Sequence, residues 1–504
     1  MKKSIYFFVM GLCAFVVLTA CHGRISAREP NPPQIVEKEE ANSGATVAFD
    51  YTDPAKLKEK YDIVIVGAGG AGMAAAIQAY ENGASPVILE KMPIAGGNTM
   101  KASAGMNAAE TKFQSEQGVE DSVDKFFEET LAGGGNANNQ ELLRYMVDHS
   151  AEAIDWLDSI GITLSNLTTT GGMSVTRTHR PADGSAVGSY LVEGLKRNIA
   201  QREIPLFVDA DVIKINEKDG TVTGVEVVIA GETKIVNADA VIVATGGFGS
   251  NKELIGKLQP AIKDYVSTNH EGSTGDGIAM IEAVGGVEVD MEKIQIHPTV
   301  QQETAYLITE AVRGEGAILI NSEGNRFFNE METRDKVSAT IIGLPEQSAF
   351  LIFDSGVRDR AKAIEQYLSM GFVLEAETLE ELAEKMNVDK ENLAKSLDNW
   401  NKAVSEQSDL EFGRTTAMSN ELSQAPFYAI KIAPGIHHTM GGVKINTKTE
   451  VLDVKGDAIP ALYAAGEVTG GLHGDNRIGG NAVADIIIFG RQAGAQASEF
   501  VKEQ

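Results

Sequence analysis

The sequence predicts an α/β fold that opens with a nucleotide-binding strand–helix–strand unit, and three observations support this. Asp62–Val66 is a short β-branched run, typical of a strand that is buried on both faces. Gly67, Gly69 and Gly72 follow in G-x-G-x-x-G spacing and begin an alanine-rich helix. A second apolar run ends in Glu90, an acid placed to accept hydrogen bonds from a ribose. A glycine-rich turn without a ligand is the alternative, but the flanking strands and the acid favour a bound dinucleotide.

The length and charge of the chain limit what it can bind. With 504 residues, of which 43% are hydrophobic, it is long enough for two or three domains. The formal net charge is -27 and there is no run of basic residues, which argues against nucleic acid and anionic lipid as partners. An acidic surface also repels small anions, so an anionic substrate would require a local basic site.

Residues 1–21 have the form of a signal peptide. Two lysines precede the apolar run Ile5–Leu18, which is too short to span a membrane comfortably. The ending Leu18–Cys21 resembles the bacterial lipobox, in which the cysteine is lipidated; a plain secretory signal or an uncleaved anchor is the alternative. Removal of Cys13 with the signal would leave Cys21 as the sole cysteine. Disulfides, thiolate metal sites and cysteine nucleophiles are then excluded, and we expect no metal site.

Residues 22–54 are polar and show no apolar period. They contain Pro30, Pro32 and Pro33 and an acidic cluster at 37–40. This composition predicts a flexible tether that holds the folded body away from a membrane. We therefore expect an exported protein that is lipid-anchored to the outer face of the cytoplasmic membrane, or that faces the periplasm if the cell has two membranes.

The pattern of a strand followed by glycines occurs twice more, in Ala238–Gly249 and in Ala461–Gly474. Three such turns in this order favour a flavin-adenine-dinucleotide fold over a nicotinamide one. The last turn commonly closes the far end of the flavin, which places Glu467 near its ribityl or pyrophosphate region. The expected fold is a Rossmann-like FAD-binding domain of the glutathione-reductase type.

The character of the chain changes between the last two turns, where glycine turns are few and helical segments appear. We assign 298–429 to an inserted α+β capping domain, between 55–297 and 430–504 as the two parts of the FAD-binding domain. Helical spacing predicts helices within 120–165 and, in the cap, at Leu379–Met386 and Glu391–Val404. Alternating residues predict antiparallel strands, with a hairpin turn at Asp219–Gly220. The predicted strands are Leu206–Val208, Val212–Ile215, Val222–Ile229 and Lys234–Val236.

Two small, glycine-rich loops follow the first unit, Gly96–Thr99 and Ser103–Asn107. Such loops let the backbone lie close to a flat ring or a diphosphate. They therefore join the fingerprint as candidates for contact with the cofactor.

Arginine and histidine residues lie beside glycine-rich turns at five places, which is informative in an acidic chain. These places are Gln295–Thr299, Thr309–Gly314, Glu332–Asp335, His437–Gly442 and Asn476–Asn481. Taken alone, His297 fits a capping or core histidine, and Arg477 fits a contact to flavin phosphate. Glu310 with Arg313 fits a surface helical pair, and Arg334 with its neighbour fits a loop ion pair. Jointly the five motifs predict a cationic pocket between the flavin turns and the cap.

From about residue 58 to its end, the chain resembles the flavoprotein of soluble bacterial fumarate reductases of the flavocytochrome type, within the fumarate reductase and succinate dehydrogenase family. The fingerprint, the Gly96–Gly97–Asn98 loop and the five cationic motifs carry this resemblance, in family order over about 450 residues. The resemblance implies an FAD-dependent oxidoreductase acting on CH–CH groups. The reaction it implies is the reduction of fumarate to succinate.

The resemblance also implies how the substrate is held. Arg477 and His437 would bind one carboxylate of fumarate, and His297 with Thr309 and Glu310 would bind the other. Clamping both ends would twist the substrate and orient it for hydride transfer from the flavin. The implied substrate-binding residues are Ala104, His297, Thr309, Glu310, His437, Arg477 and Gly480.

The implied proton donor is unusual. The residue type alone favours Arg334 as an anion clamp, because a guanidinium stays protonated in proteins. The resemblance instead implies that Arg334 is the catalytic acid and that Glu310 and Arg313 return its proton. The implied contacts to FAD are Gly67, Gly69, Ala71, Gly72, Glu90, Asn98, Thr99, Ser103, Gly105, Val212, Thr245, Gly246, Asp276, His438, Glu467, Arg477, Ala482 and Val483.

Two departures from the family pattern matter. Quinone-linked members attach flavin covalently through a histidine in the loop after the glycine pair, whereas this chain has Asn98–Lys101 there. Non-covalent FAD is therefore expected. Flavocytochrome members carry an N-terminal haem domain and others a covalent-FMN domain, and the sequence shows neither. We expect electrons from a separate protein, such as a cytochrome, a flavoprotein or a quinol-linked donor, or from a diffusible reductant.

The sequence thus predicts an exported fumarate reductase that serves as an electron sink. A reductase of urocanate, methacrylate or an aryl acrylate is the second hypothesis; His297 and Glu310 together favour a diacid, since a site built for two carboxylates loses strongly with a mono-acid. A surface lipoprotein that binds flavin or carboxylate without turnover is the third. The complete set of Arg334, Glu310 and Arg313 argues against it, because a binding protein needs no proton relay.

Overall fold

A computed structural model of the chain describes residues 49–504; the predicted signal peptide, Cys21 and most of the predicted tether lie outside the described residues. The last part of that tether, residues 49–54, is described. There the Thr52 amide donates to the Leu206 carbonyl at 2.8 Å. The folded body therefore begins before residue 55, and the predicted end of the tether is wrong because these residues pair with the body.

Strands and helices alternate along the described residues. The strands are β1 Lys60–Val66, β2 Pro86–Leu89, β3 Met106–Asn107, β4 Asn166–Thr168, β5 Thr178–Arg180, β6 Leu206–Phe207, β7 Ala210–Lys218, β8 Thr221–Ile229, β9 Glu232–Val243, β10 Glu288–Val289, β11 Ile294–Gln301, β12 Tyr306–Leu307, β13 Ile318–Ile320, β14 Ala349–Asp354, β15 Val373–Ala376, β16 Phe427–Thr439, β17 Gly442–Val443, β18 Glu450–Leu452 and β19 Ala458–Ala464. The α-helices are α1 Gly70–Glu81, α2 Gly97–Met100, α3 Lys112–Glu116, α4 Val123–Gly133, α5 Gln140–Asp148, α6 Ser150–Ser159, α7 Val187–Gln201, α8 Lys252–Leu258, α9 Asp276–Glu282, α10 Glu310–Gly314, α11 Arg334–Ile342, α12 Ser355–Arg360, α13 Ala363–Ser369, α14 Leu379–Met386, α15 Lys390–Glu406 and α16 Asn481–Glu503.

The predicted first strand lies at the centre of the larger sheet. The strand order is β18-β19-β9-β1-β2-β6, and β1 pairs in parallel with β2 and β9. Its Ile63, Val64 and Ile65 are fully buried, as expected for a strand that is covered on both faces. The predicted α/β fold with a parallel sheet core is confirmed.

Helices α1 and α16 pack closely because small residues line their contact. A Cβ added at Gly490 would lie 2.6 Å from the Ala71 carbonyl oxygen, and one at Gly494 would lie 2.3 Å from that of Ala75. These approaches place the middle of α16 against the first turns of α1, which follow directly on the fingerprint turn. The two parts of the chain that are farthest apart in sequence thereby form one nucleotide-binding unit.

The antiparallel segment differs from the prediction in two respects. Strand β9 is continuous: Glu232–Asn237 pairs antiparallel with β8, and its second half continues in parallel beside β1. Leu206–Phe207 pairs in parallel with β2, so its prediction as an antiparallel strand is wrong; the helix α7 before it returns the chain to the parallel edge. The turn at Asp219–Gly220 is confirmed, with φ of 53° and 81°.

A second, antiparallel sheet has the order β12-β11-β16-β14-β13, with β15 also paired to β16. Its apolar cluster spans residues 308–432 and includes the fully buried Trp400. Helices α14 and α15 pack into this cluster through Leu382 and Leu397, among others, and both lie where helical spacing predicts them.

The pair β11 and β16 brings two of the cationic motifs together. Gln295 on β11 lies opposite His438 on β16, and His297 lies opposite Gly435 after a bulge. Strand β16 is 13 residues long, so it continues from the cap sheet to the edge of the flavin part. Among the described residues, no helix combines the length and the apolar character needed to cross a membrane.

Candidate active site

The fingerprint turn and its neighbours enclose a first cavity at the carboxyl ends of the parallel strands. It is lined by many of the predicted cofactor residues. These are Gly67, Gly69, Ala71, Glu90, Asn98, Thr99, Val212, Thr245, Gly246, Asp276 and Glu467. Ligands of open α/β sheets bind at this end of the strands, so the position agrees with a dinucleotide site.

The three fingerprint glycines differ in their surroundings. Gly67 has φ of 104°, and a Cβ there would lie 2.5 Å from the Ala244 carbonyl oxygen. A Cβ at Gly72 would lie 2.0 Å from the Gly67 carbonyl oxygen, so Gly72 serves close packing and does not line the cavity. Gly69 has only the Thr99 hydroxyl nearby, at 3.9 Å. The space above Gly69 therefore admits a diphosphate next to the backbone.

Buried polar groups of this cavity fit a nucleotide. Glu90 accepts hydrogen bonds from the amides of Ala68 at 2.7 Å and Met92 at 2.9 Å, which fixes its carboxylate at the end of β2. The Thr245 hydroxyl is buried and has no hydrogen-bond partner among the described residues. A sugar or phosphate oxygen would supply the missing partner.

A second cavity of about 440 Å³ continues from the first toward the cap. It is lined by the remaining predicted cofactor residues, except Gly72, and by several predicted substrate residues. These are Ser103, Ala104, Gly105, Arg334, His437, His438, Arg477, Gly480, Ala482 and Val483. Tyr306, Leu307, Gln366 and Tyr367 of the cap line its opposite side. The cavity thus lies between the flavin turns and the cap, where the cationic pocket is predicted.

Several buried polar atoms beside this cavity have no hydrogen-bond partner among the described residues. They include Nε2 of His438, Nε of Arg477 and Oδ1 of Asp485; the ring of His473 lies next to them, with its Nε2 3.4 Å from Oδ2 of Asp485. Unpaired buried polar atoms are costly, and the polar edge of a flavin ring offers both donors and acceptors. The residues present therefore fit FAD. His473 and Asp485 were not predicted as site residues from the sequence. His473 lies in the third glycine-rich turn and Asp485 in helix α16, and only other residues of these segments were assigned a function.

The three residues of the predicted proton relay are in contact with one another through Glu310. Arg334 donates to both oxygens of Glu310, at 2.8 and 3.1 Å, and Arg313 donates to Oε1 of Glu310 at 3.3 Å. Arg334 also lines the second cavity, while Glu310 and Arg313 lie behind it and are almost completely buried. The explanation of Glu310 and Arg313 as a surface pair is therefore wrong.

Burial alone would raise the pKa of Glu310, but the guanidinium groups of Arg334 and Arg313 outweigh it and lower the pKa to about 2. Burial, with Arg334 nearby, lowers the pKa of Arg477 to about 9. Both groups are therefore ionised at neutral pH. The carboxylate of Glu310 is held between two cations, so it can accept a proton from one and pass it to the other.

Gln295 links the relay to the predicted carboxylate clamp. Its Oε1 accepts from Arg334 at 2.9 Å and from Arg477 at 3.2 Å. Its amide nitrogen donates to Asn476 Oδ1 and to the Arg477 carbonyl, both at 2.7 Å, which fixes the orientation of the side chain. Gln295 is the first residue of one of the five motifs. The sequence assigned it no function, because a neutral amide has no charge or acid–base chemistry that would distinguish it.

The two predicted substrate histidines lie side by side, with ring centroids 5.2 Å apart. His297 is fully buried, and burial with the cations of Arg334 and Arg313 lowers its pKa well below its ordinary value, so the ring is neutral. The Thr299 amide donates to Nδ1 of His297 at 3.3 Å, which places the ring proton on Nε2. That Nε2 has no partner among the described residues and is free to donate to an anion.

Three predicted substrate residues do not line the second cavity. His297, Thr309 and Glu310 lie immediately behind its wall. Thr309 caps α10 by accepting from the Ala311 amide at 3.3 Å, and its own amide donates to the Tyr367 hydroxyl at 3.0 Å. The structure therefore brings these residues to the site without placing them at its surface, and their contact with a substrate stays a prediction.

The fold and the two cavities define an FAD-binding oxidoreductase, and comparison with known proteins supports this class. The family model described as "FAD binding domain" matches residues 62–483. This chain belongs to that family of FAD-dependent oxidoreductases, which act on CH–CH groups in its fumarate reductase members.

Similar proteins include the NADH:fumarate oxidoreductase of Klebsiella pneumoniae (strain 342), 56% identical over 442 residues that cover 88% of this chain and 48% of that protein. The chain thus spans about half the length of that relative. The fumarate reductase (cytochrome) of Shewanella frigidimarina is 44% identical over 446 residues, covering 88% of this chain and 78% of the relative. A flavocytochrome c3 fumarate reductase solved in an open conformation matches with a TM-score of 0.73 and 40% identity, covering 89% and 79% of the two chains.

Replacing His297 by glutamine should reduce the dependence of stability on pH. The pKa of His297 is lowered in the folded chain, so unfolding takes up a proton below the unfolded pKa of about 6.5. Its contribution is fully present above that pH and is lost as the pH falls toward the folded pKa. Urea unfolding between pH 6 and pH 5 should show a slope smaller by up to about 1.4 kcal/mol per pH unit in the variant. Equal slopes would show that His297 is charged in the folded protein.

Proposed function

We propose that this protein is an exported FAD-dependent fumarate reductase that reduces fumarate to succinate as an electron sink. The observation that carries the proposal is the cavity in which Arg334 and Arg477 both face a space next to the flavin turns, with the Glu310–Arg313 pair behind Arg334. Two cations in one cavity suit a small dianion, and a buried carboxylate between two guanidinium groups suits proton transfer.

The residues support a reaction in which each end of the diacid is held. Arg477 and His437 line the cavity and would bind one carboxylate. Nε2 of His297 has no partner among residues 49–504 and lies next to His437, so it would bind the other carboxylate after a small adjustment of the wall. Reduced FAD, when bound, supplies a hydride to one alkene carbon. Holding both carboxylates fixes which carbon receives it.

Arg334 would then give a proton to the other alkene carbon. Its neutral form is unfavourable, so it must be transient. Glu310 contacts Arg334 through both oxygens and Arg313 through one, and the proton that Arg334 loses can be replaced by Arg313 through Glu310. The hydride and this proton together balance the conversion of one double bond to a single bond.

We propose that FAD is held non-covalently. The loop 98–101 contains no histidine or cysteine, and its side chains serve the fold. Thr99 accepts from the Gly70 amide at 2.9 Å, and Asn98 donates to Asn269 at 2.6 Å. We also propose that electrons arrive from a separate donor protein or a diffusible reductant; two similar proteins are named NADH:fumarate oxidoreductase and fumarate reductase (cytochrome), after donors of these two kinds.

Substrate choice tests the proposal directly. Purified protein loaded with FAD and supplied with reduced methyl viologen should oxidise it with fumarate, with kcat/KM about 10⁴-fold above that for crotonate, which lacks one carboxylate. Urocanate, methacrylate and an aryl acrylate complete the panel. Preference for a mono-acid would assign the chain to another unsaturated acid. A complete lack of oxidation would favour a non-catalytic flavin or carboxylate-binding lipoprotein.

Arg334→Gln should lower the rate of fumarate reduction by about 10²–10⁴-fold, the usual contribution of a positioned acid. FAD content and fumarate binding should be retained, and both are measured by absorbance and by equilibrium titration. The control is Lys336→Gln on the same helix, since Lys336 is exposed and pairs with Glu332 at 2.8 Å, away from the cavity. A variant with near wild-type turnover would exclude Arg334 as the acid.

We propose lipid anchoring to the outer face of the cytoplasmic membrane, from the Leu18–Cys21 motif. In a bacterial host, wild-type protein should fractionate with membranes and incorporate a clickable palmitate analogue. Cys21→Ser should abolish labelling and leave the protein unprocessed. Labelling that persists in the variant, or wild-type protein found entirely in the soluble fraction, would contradict anchoring through Cys21.

A further inference from the structure

The helix that carries the relay is short. Helix α10 has five residues, with Glu310 in its first position and Arg313 in its last turn. So short a helix has few internal hydrogen bonds, and its ends need partners from elsewhere. Thr309 supplies the N-terminal cap, accepting from the Ala311 amide. The other end is held by a residue that is distant in sequence.

That residue is Arg414, in the segment that follows α15. It is 1% exposed, and its Nη2 donates to the Arg313 carbonyl at 2.8 Å. A cation bonded to a carbonyl of the last turn caps a helix C-terminus. The same guanidinium donates to three further carbonyls within 3.0 Å and cannot swing away without losing them. They belong to Ala317, Thr416 and Ala417.

Arg414 also bonds the carboxylate of Glu330, a second acid whose backbone lies next to Arg313. Glu330 is fully buried, and its carboxylate accepts from Arg326 at 2.8 and 2.9 Å and from Arg414 at 3.0 Å. Glu330 accepts from Arg313 through its backbone carbonyl, at 2.5 Å, and its carboxylate makes no hydrogen bond to Arg313 among the described residues. Glu310 is therefore the one carboxylate within ion-pair distance of Arg313 among residues 49–504.

The ring of Trp400 packs against Arg414 and Arg326, the two arginines that bond the Glu330 carboxylate. It lies under the guanidinium of Arg414 at 4.4 Å and near that of Arg326 at 4.9 Å from the ring centroid. Both contacts are within the range of cation–π attraction. Trp400 is completely buried, so this support is rigid.

We propose that Arg414 is a positioning residue for the proton relay. It fixes the end of α10, and with Arg326 it occupies the Glu330 carboxylate, so that Arg313 shares its proton with Glu310 alone. Without Arg414, Oε2 of Glu330 would keep only the bond from Arg326, and the Glu330 carboxylate would be less compensated next to Arg313. A second carboxylate would hold the proton of Arg313 more strongly and slow its transfer. This inference rests on the proposed function, since it assigns Arg414 to the same relay.

The test compares Arg414→Gln and Arg414→Lys with wild type, using the acid that wild-type protein reduces fastest. Single-turnover reoxidation of the reduced, FAD-loaded protein is followed in H₂O and D₂O. Arg414→Gln should lower kcat by about 10- to 100-fold with KM within about 3-fold, and should increase the solvent isotope effect, because proton delivery becomes slower. Arg414→Lys keeps a charge beside Glu330 and should be intermediate.

Arg358→Gln is the matched control, because Arg358 is a cap arginine paired with the exposed Glu365 at 2.6 Å. It should match wild type in rate and isotope effect. Should Arg414→Gln lose FAD, the lysine variant decides the question. An FAD-loaded Arg414 variant with wild-type kcat and isotope effect, or one in which only KM rises, would overturn the proposal. If fumarate is not the preferred acid, the proposed function fails and the role of Arg414 is still decided.

Discussion

The ion pairs of Glu310 with Arg334 and Arg313 are the interaction on which the rest of the site depends. All three side chains are removed from water, and a buried charge is tolerated only when it is paired and hydrogen-bonded. Removing one partner from such a group costs about 3–5 kcal/mol, because the remaining charge is left uncompensated. Glu310 begins α10 and Arg334 begins α11, so these bonds fix two helix starts of the cap against each other. The geometry of the proposed proton delivery is therefore a consequence of how the cap folds.

Strands β11 and β16 connect that relay to the flavin part. Gln295 and His297 lie on β11, and His437 lies on β16, beside residues paired to β11. A ladder of backbone hydrogen bonds positions side chains more rigidly than loops do. The bulges in this pair turn the histidines toward each other, since a regular ladder would place alternate residues on opposite faces. The proposed carboxylate clamp therefore depends on a β-bulge, and no residue pattern along the chain predicts where that bulge lies.

This explains which features could be predicted from the sequence. The parallel core followed from local signals, the β-branched run before Gly67 and the acid Glu90, and FAD-binding family membership followed from the order of motifs. The sequence did not predict which individual residues make contacts between distant segments. Gln295, Asp485 and Arg414 have ordinary side chains, and only the folded chain shows what each one faces. The parallel pairing of β6 was missed for the same reason, because strand direction is set by the connection and not by the strand itself.

Charge balance inside the cavity links the site to the kind of substrate it suits. Arg334 and Arg477 share one neutral acceptor, Oε1 of Gln295, and the single carboxylate of Glu310 is already bound to two arginines. Burial lowers the pKa of Arg477 to about 9, and the neighbouring cation of Arg334 contributes to the shift. An anion bound beside Arg477 would raise this pKa again, so binding free energy is gained by relieving the repulsion. One carboxylate could compensate one guanidinium, whereas a diacid also supplies an acceptor for the unpartnered His297 Nε2. In an acidic chain, these neighbouring cations are the feature from which the proposed preference for a dianion follows.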